Sequence, residues 1–260
     1  MTAARVELNG EPLGPGAFVA GMTAYGHFTA MQVRDGRVRG LAYHLERLAT
    51  STRLLFGTDL DPDRVRSYVR KAIADEPALS VRVVVVTRSF DEPMTPEILV
   101  RTHPPRPPDP APLRLRTVRY QRELPQVKHL GTFGLIHQSR QARLAGFDDA
   151  LFVDAGGRIS EASIWNAGFL AGDTIVWPEA AVLPGITMLV QKEALRRLGV
   201  PQQTRPVRPA DLREFDAMFL TNSETPGRPV AAVDDLVLPP ADRAVKLLAE
   251  AYETVPWDEI

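Results

Sequence analysis

The 260-residue sequence has no cysteine, which excludes disulfides, thiolate metal sites and a cysteine nucleophile. No apolar run approaches the ~20 residues needed to span a bilayer. The N-terminus, MTAARVELNG, has no apolar core of signal-peptide length. A formal net charge of −1 provides no basic excess to recruit nucleic acid or an anionic membrane. The expectation is a soluble, cytoplasmic protein. The five histidines (His27, His44, His103, His129 and His137) lack HExxH or carboxylate-paired spacing, so no metal site is expected. GxGxxG after a strand, the Walker-type GxxxxGKS/T and GxSxG are all missing, which leaves dinucleotide, Walker-type nucleotide and α/β-hydrolase sites without support.

Lysine is also scarce: Lys71, Lys128, Lys192 and Lys246 stand against arginine everywhere else. An arginine could hold a surface charge equally well, but it could not lose a proton near neutral pH and attack a carbonyl. Lys128, in LPQVKHLGTF, falls between a strand-like and a helix-like segment, where a partly desolvated amine can act as a nucleophile. Alone, such a lysine reads as a solvated charge.

A composition of 44% hydrophobic and 24% charged residues suits a globular chain with a sizeable core. The break in the pattern is HPPRPPDPAP, 103–112, whose prolines exclude a helix or central strand and read as a stiff connector. It divides a small α+β domain, 1–105, from a larger domain, 113–260. Before it, ARVELNG and HFTAMQVRDGRVRG read as strands, the second with a hairpin signal at Asp35-Gly36. LAYHLERLATSTRLLFG and DPDRVRSYVRKAIADE read as helices, and SVRVVVVTR reads as a buried strand. After the connector, a strand, the Lys128 segment and a helix lead into three strands, an amphipathic helix over ITMLVQKEALRRLG, two strands and a C-terminal helix.

The residues around Lys128 form a composite. AGFDDALFVDAGGRISEASIWN follows it, with Glu161 placed 33 residues on (161 − 128). HLERL (44–48), LPGITM (183–188) and TNSETPGRPV (221–230) accompany it. Together, from about Phe28 to Asp234, they resemble the class IV aminotransferases. This is the pyridoxal 5'-phosphate (PLP) family of fold type IV, which includes branched-chain and D-amino-acid aminotransferases and 4-amino-4-deoxychorismate lyase. The resemblance implies a two-domain α+β fold, PLP as cofactor, small amine and keto acid substrates, and a homodimer. It implies that Lys128 carries PLP as a Schiff base and shuttles a proton, and that Glu161 sits against the pyridine nitrogen. It gives the cofactor phosphate to Arg47, to the helix start at Gly185, Ile186 and Thr187, and to Thr221, Asn222 and Ser223.

Two branches of the family remain open. Aminotransferase is the broader class, acting on an amino acid or related amine. KHL and HFTAMQVRDG are similar to the lyase segments, and Phe133 stands where branched-chain transaminases carry a tyrosine. The glycines that often follow the small domain's buried strand are replaced by TRSFDEPMTP, although Arg88 is kept. Tyr25, His27, Thr29 and Arg88 are the substrate-side candidates, each with a structural role as the alternative. A non-catalytic scaffold of the same fold is the third reading.

Overall fold

The computed structural model describes residues 5–12, 24–107 and 109–260. Residues 1–4, 13–23 and 108, which the sequence reading places in the first domain and the connector, lie outside the described residues. The strands are β1 (Arg5–Leu8), β2 (Glu11–Pro12), β3 (Gly26–Arg34), β4 (Arg37–Arg39), β5 (Ala78–Val86), β6 (Glu97–His103), β7 (Leu113–Arg119) and β8 (Asp149–Val153). They continue with β9 (Ile159–Ala162), β10 (Asn166–Ala171), β11 (Thr174–Pro178), β12 (Gln202–Arg205), β13 (Ala217–Thr221), β14 (Arg228–Val233), β15 (Leu236–Val237) and β16 (Trp257–Glu259). Two compact units result. The first comprises Met1–Pro107, Val127–Gly131 and Pro256–Ile260; the second comprises Pro108–Gln126 and Thr132–Val255. The segment carrying Lys128 thus groups with the first unit.

In the first unit, seven strands run in the order β16-β4-β3-β5-β6-β1-β2, with antiparallel pairing throughout. Helices Leu41–Phe56 and Pro62–Ile73 form where the apolar residues recur at helical spacing. The second begins on Asp61, whose carboxylate accepts the Asp63 N–H at 2.9 Å, with Pro62 in the first turn. The first ends at Gly57, whose left-handed φ of 65° suits glycine. Leu48, Phe56, Val65 and Val69 pack on Met31, Val33, Val81, Val83 and Val100 in one core. The sequence suggests a buried strand over SVRVVVVTR; in β5 most of these residues are buried, while Arg82 is exposed and Val84 half-buried. The strand lies in an antiparallel sheet whose helices cover one face, so burial alternates. β6 is an addition to the sequence reading, inserted between β5 and β1.

The second unit holds a nine-stranded sheet in the order β12-β11-β10-β13-β14-β7-β8-β9, with β15 on β14. β7 is parallel to both β14 and β8. A further pairing of β9 with β10, at Glu161↔Asn166, closes β10-β13-β14-β7-β8-β9 into a ring. Phe169, Phe219 and Trp177 are fully buried around it; burying one such side chain stabilises by about 1.5–3 kcal/mol. Helices Ile186–Arg197 and Asp242–Glu253 share a core with β10, β11 and β13. Among the described residues, no helix is long and apolar enough to cross a membrane, and no His/Cys/Asp/Glu group could hold a metal ion.

Candidate active site

Lys128 is fixed through the backbone of its own short segment. The Phe28 N–H donates to the Lys128 carbonyl at 2.9 Å, and the Leu130 N–H donates to the Gly26 carbonyl at 2.8 Å. His27 and His129 form an antiparallel bridge between them. Val127 anchors the segment in the first unit's core. Position 26 must be glycine for this approach. A Cβ there would lie 2.5 Å from the Val85 carbonyl oxygen and 3.0 Å from Leu130 Cδ1. Lys128 Nζ rests 4.9 Å from the Phe28 ring centroid, over its face.

On the other face of β3, Thr29 is fully buried. Its hydroxyl accepts from Arg47 Nη2 and lies 2.6 Å from His44 Nδ1. Burial first, and then the Arg47 charge, hold His44 well below its ordinary pKa, so the ring is neutral. The Thr29 hydroxyl, with one proton and two lone pairs, can serve Arg47 and His44 Nδ1 at once. His44 and Thr29 thereby hold Arg47 in place. His27 is a second buried imidazole. Its Nε2 lies 2.9 Å from Thr52 Oγ1, and burial with the Arg47 charge lowers its pKa to about 3. Of the other substrate-side candidates, Tyr25 donates to the Leu55 carbonyl at 2.9 Å, and the exposed Arg88 is tied to Glu97 at 2.7 Å.

In the second unit Glu161 lies at the ring closure, with its side chain only 6% exposed. Its Oε2 accepts the Leu183 N–H at 3.2 Å, and its Oε1 stands 3.7 Å from Arg122 Nε. Asn166, the cross-strand partner of Glu161, donates from Nδ2 to the Leu183 carbonyl at 2.8 Å. The two residues therefore grip Leu183 by its N–H and its C=O. That grip delivers Pro184, Gly185 and the start of helix Ile186–Arg197. A Cβ on Gly185 would fall 1.9 Å from Asn166 Oδ1, so the approach requires glycine. Gly185 gives the helix no side-chain cap, and Ile186, Thr187 and Met188 of its first turn are buried. Amide donors at such an end have no intrahelical acceptor and suit an anion.

Thr221 pairs with Asn166 across the sheet, and its hydroxyl donates to Gln191 at 3.0 Å. Asn222 closes a turn, its Oδ1 accepting the Glu224 and Thr225 N–H groups at 2.9 Å each. Ser223 is half-buried on the same turn. Phe133 is 80% exposed and stacks on His137. The sequence reading did not single out Arg122 or Asn166. Asn166 stands at the end of the quoted ExxxxN pattern and could have been found there. Arg122 has no local signal. Burial draws its guanidinium below its ordinary pKa, while Glu161 and then Tyr120 push the other way. The donor set of the second unit fits a phosphate monoester carried on a basic heteroaromatic ring.

The model of the family "Amino-transferase class IV" matches residues 26–233. A curated branched-chain-amino-acid aminotransferase of Synechocystis sp. (strain ATCC 27184 / PCC 6803 / Kazusa) is 29% identical over 96 residues. That match takes in 36% of this chain and 32% of the relative, so the chain spans about a third of that relative's length. Among solved structures, a PLP-bound hypothetical aminotransferase from Mycobacterium tuberculosis matches at 25% identity and a TM-score of 0.83, covering 97% of this chain and 98% of that one. A candidate 4-amino-4-deoxychorismate lyase from Legionella pneumophila subsp. pneumophila str. Philadelphia 1 has the same fold at 20% identity and a TM-score of 0.82. It covers 90% of this chain and 92% of its own. With the family match running from β3 to the end of β14, the chain belongs to the class IV aminotransferases, PLP-dependent enzymes of fold type IV.

Proposed function

We propose that this chain is an aminotransferase that moves the amino group of an amino acid or related amine to a keto acid, with Lys128 as its PLP lysine. The reading rests chiefly on the clamp of Glu161 and Asn166 on Leu183, which ties a buried carboxylate to an uncapped helix start. When bound, PLP supplies an electron sink for negative charge developing at the substrate α-carbon. In the first unit, the Lys128 amine holds the cofactor and moves a proton at that carbon, while Arg47 takes phosphate charge. In the second unit, Glu161 holds the proton of the ring nitrogen. Ile186 and Thr187 offer backbone N–H groups to the phosphate, Gly185 leaves room for it, and Thr221, Asn222 and Ser223 shape its far side. A homodimer belongs to the same proposal.

The Arg47 assignment has its own test. Thr29→Val removes the hydroxyl between Arg47 and His44 and takes a partner from each. A hydrogen bond to a charged group contributes about 1.5–3 kcal/mol, so PLP affinity should fall about tenfold or more. Thr29→Ser should recover it. Titrating tryptophan fluorescence with PLP, and with unphosphorylated pyridoxal, checks this: the loss should be confined to PLP.

The second reading is aminodeoxychorismate lyase. It is favoured by Phe133, which has no hydroxyl at the position where branched-chain transaminases carry a tyrosine, and by the Legionella neighbour. Holoenzyme given amino acid and keto acid pairs should exchange amino groups in both directions. Release of pyruvate and 4-aminobenzoate from aminodeoxychorismate, with no exchange, would replace the transaminase reading by the lyase. Silence in both assays would leave a scaffold.

A further inference from the structure

Arg122 has no place in the roles assigned so far, yet its side chain is as buried as that of Glu161, at 5% against 6% exposure. A guanidinium withdrawn from water to this extent needs a reason. Its ion-pair partner is the one carboxylate to which the PLP ring nitrogen has been assigned. We propose that Arg122 is a positioning residue for the cofactor: through its ion pair it keeps Glu161 charged and aimed, so that Glu161 can hold the proton on the ring nitrogen. The inference rests on the reading of Glu161 as the partner of that nitrogen.

A carboxylate buried alone tends to take up a proton and become neutral. With Arg122 beside Oε1 and the Leu183 N–H on Oε2, each oxygen of Glu161 has a positive or donor neighbour. The carboxylate is thus held in the acid-free form before any cofactor arrives. It cannot rotate without giving up one of the two ties, and an ionised carboxylate still has lone-pair sites to spare.

A second cation could also oppose the first, because Arg122 repels a protonated ring nitrogen. The sign follows from distance. A ring nitrogen held by Glu161 on the side away from Arg122 would stand farther from the guanidinium than the carboxylate itself does. Coulomb energy falls with distance, so Arg122 stabilises the carboxylate by more than it destabilises the cation beyond it. The net effect favours the charge-separated pair over a neutral acid facing a neutral ring. Arg122 has a second consequence through Leu183. If Glu161 lets go of that N–H, one of the two ties that deliver Gly185 and the helix start is lost.

The test is a double-mutant cycle on PLP binding, read by quenching of tryptophan fluorescence and by the pH dependence of the bound cofactor's visible band. Arg122→Leu should weaken PLP about tenfold or more and move the band's titration to lower pH, toward loss of the ring proton; Arg122→Lys should restore most of both. In a Glu161→Gln background, Arg122→Leu should change PLP affinity by no more than about twofold, because the residue acts through the missing carboxylate. A merely structural arginine would cost the same in both backgrounds, and that result overturns the proposal. So does an Arg122→Leu protein with wild-type affinity and titration. If Arg122→Leu fails to fold, the smaller polar change Arg122→Gln, measured with and without Glu161→Gln, closes the same cycle. Glu161→Gln alone indistinguishable from wild type would instead remove the Glu161 reading beneath it.

Discussion

Lys128→Ala is expected to abolish turnover, lowering kcat/KM by about 10⁴-fold or more, since both a nucleophile and a proton carrier are lost. The visible band of the reconstituted protein should vanish with it. The fold should survive: the backbone bonds to Gly26 and Phe28 do not involve the side chain. The lost contact of the ammonium with Phe28 contributes about 0.5–2 kcal/mol at most. Lys128→Arg separates packing from chemistry. It keeps a cation over Phe28 but cannot lose a proton near neutrality, so it should be as inactive as the alanine variant. An arginine variant with substantial turnover would mean that position 128 supplies charge alone.

Glu161→Gln has the second largest expected effect, and it should act on turnover and stability together. Glutamine can still accept the Leu183 N–H, so the helix start keeps that tie. It cannot hold a ring proton, and kcat should fall about 10²–10³-fold. It also leaves Arg122 buried without its carboxylate. Breaking one side of a buried ion pair costs about 3–5 kcal/mol, and the 3.7 Å separation argues for the lower end. Thermal melting of the apo protein reads that loss, and adding Arg122→Leu should recover part of it, because the second change removes the stranded charge. Turnover near wild type in Glu161→Gln would remove the ring-nitrogen role. A melting temperature near wild type would mean that the ion pair contributes little to the fold.

The residues legible in the sequence are those whose partners are close in the chain or fall in a motif. The helix start in LPGITM and the helix signals at Asp61-Pro62 and Gly57 are of this kind. What the sequence hides is contact across the fold. Arg122, just past β7, and Glu161, on β9, come within 3.7 Å although 39 residues (161 − 122) separate them in the chain. Leu183 is an ordinary apolar residue in sequence, yet both its backbone groups are tied to the ExxxxN pattern. Thr29, read as facing substrate, turns into the helix-covered face of β3, where its hydroxyl is shared by Arg47 and His44. β6 escaped notice because the proline connector begins at its last residue. Its buried Ile98, Val100 and Thr102 alternate with half-buried or exposed residues where β5 and β1 flank it.

The scarcity of lysine makes the central claim directly measurable. Reducing the PLP-reconstituted protein with borohydride fixes the cofactor to the amine that holds it, and peptide mass mapping then locates it. The label is expected on Lys128, in the peptide containing LPQVKHLGTF. Label on Lys71, Lys192 or Lys246 instead, or no stoichiometric label, would contradict the assignment of Lys128 as the PLP lysine.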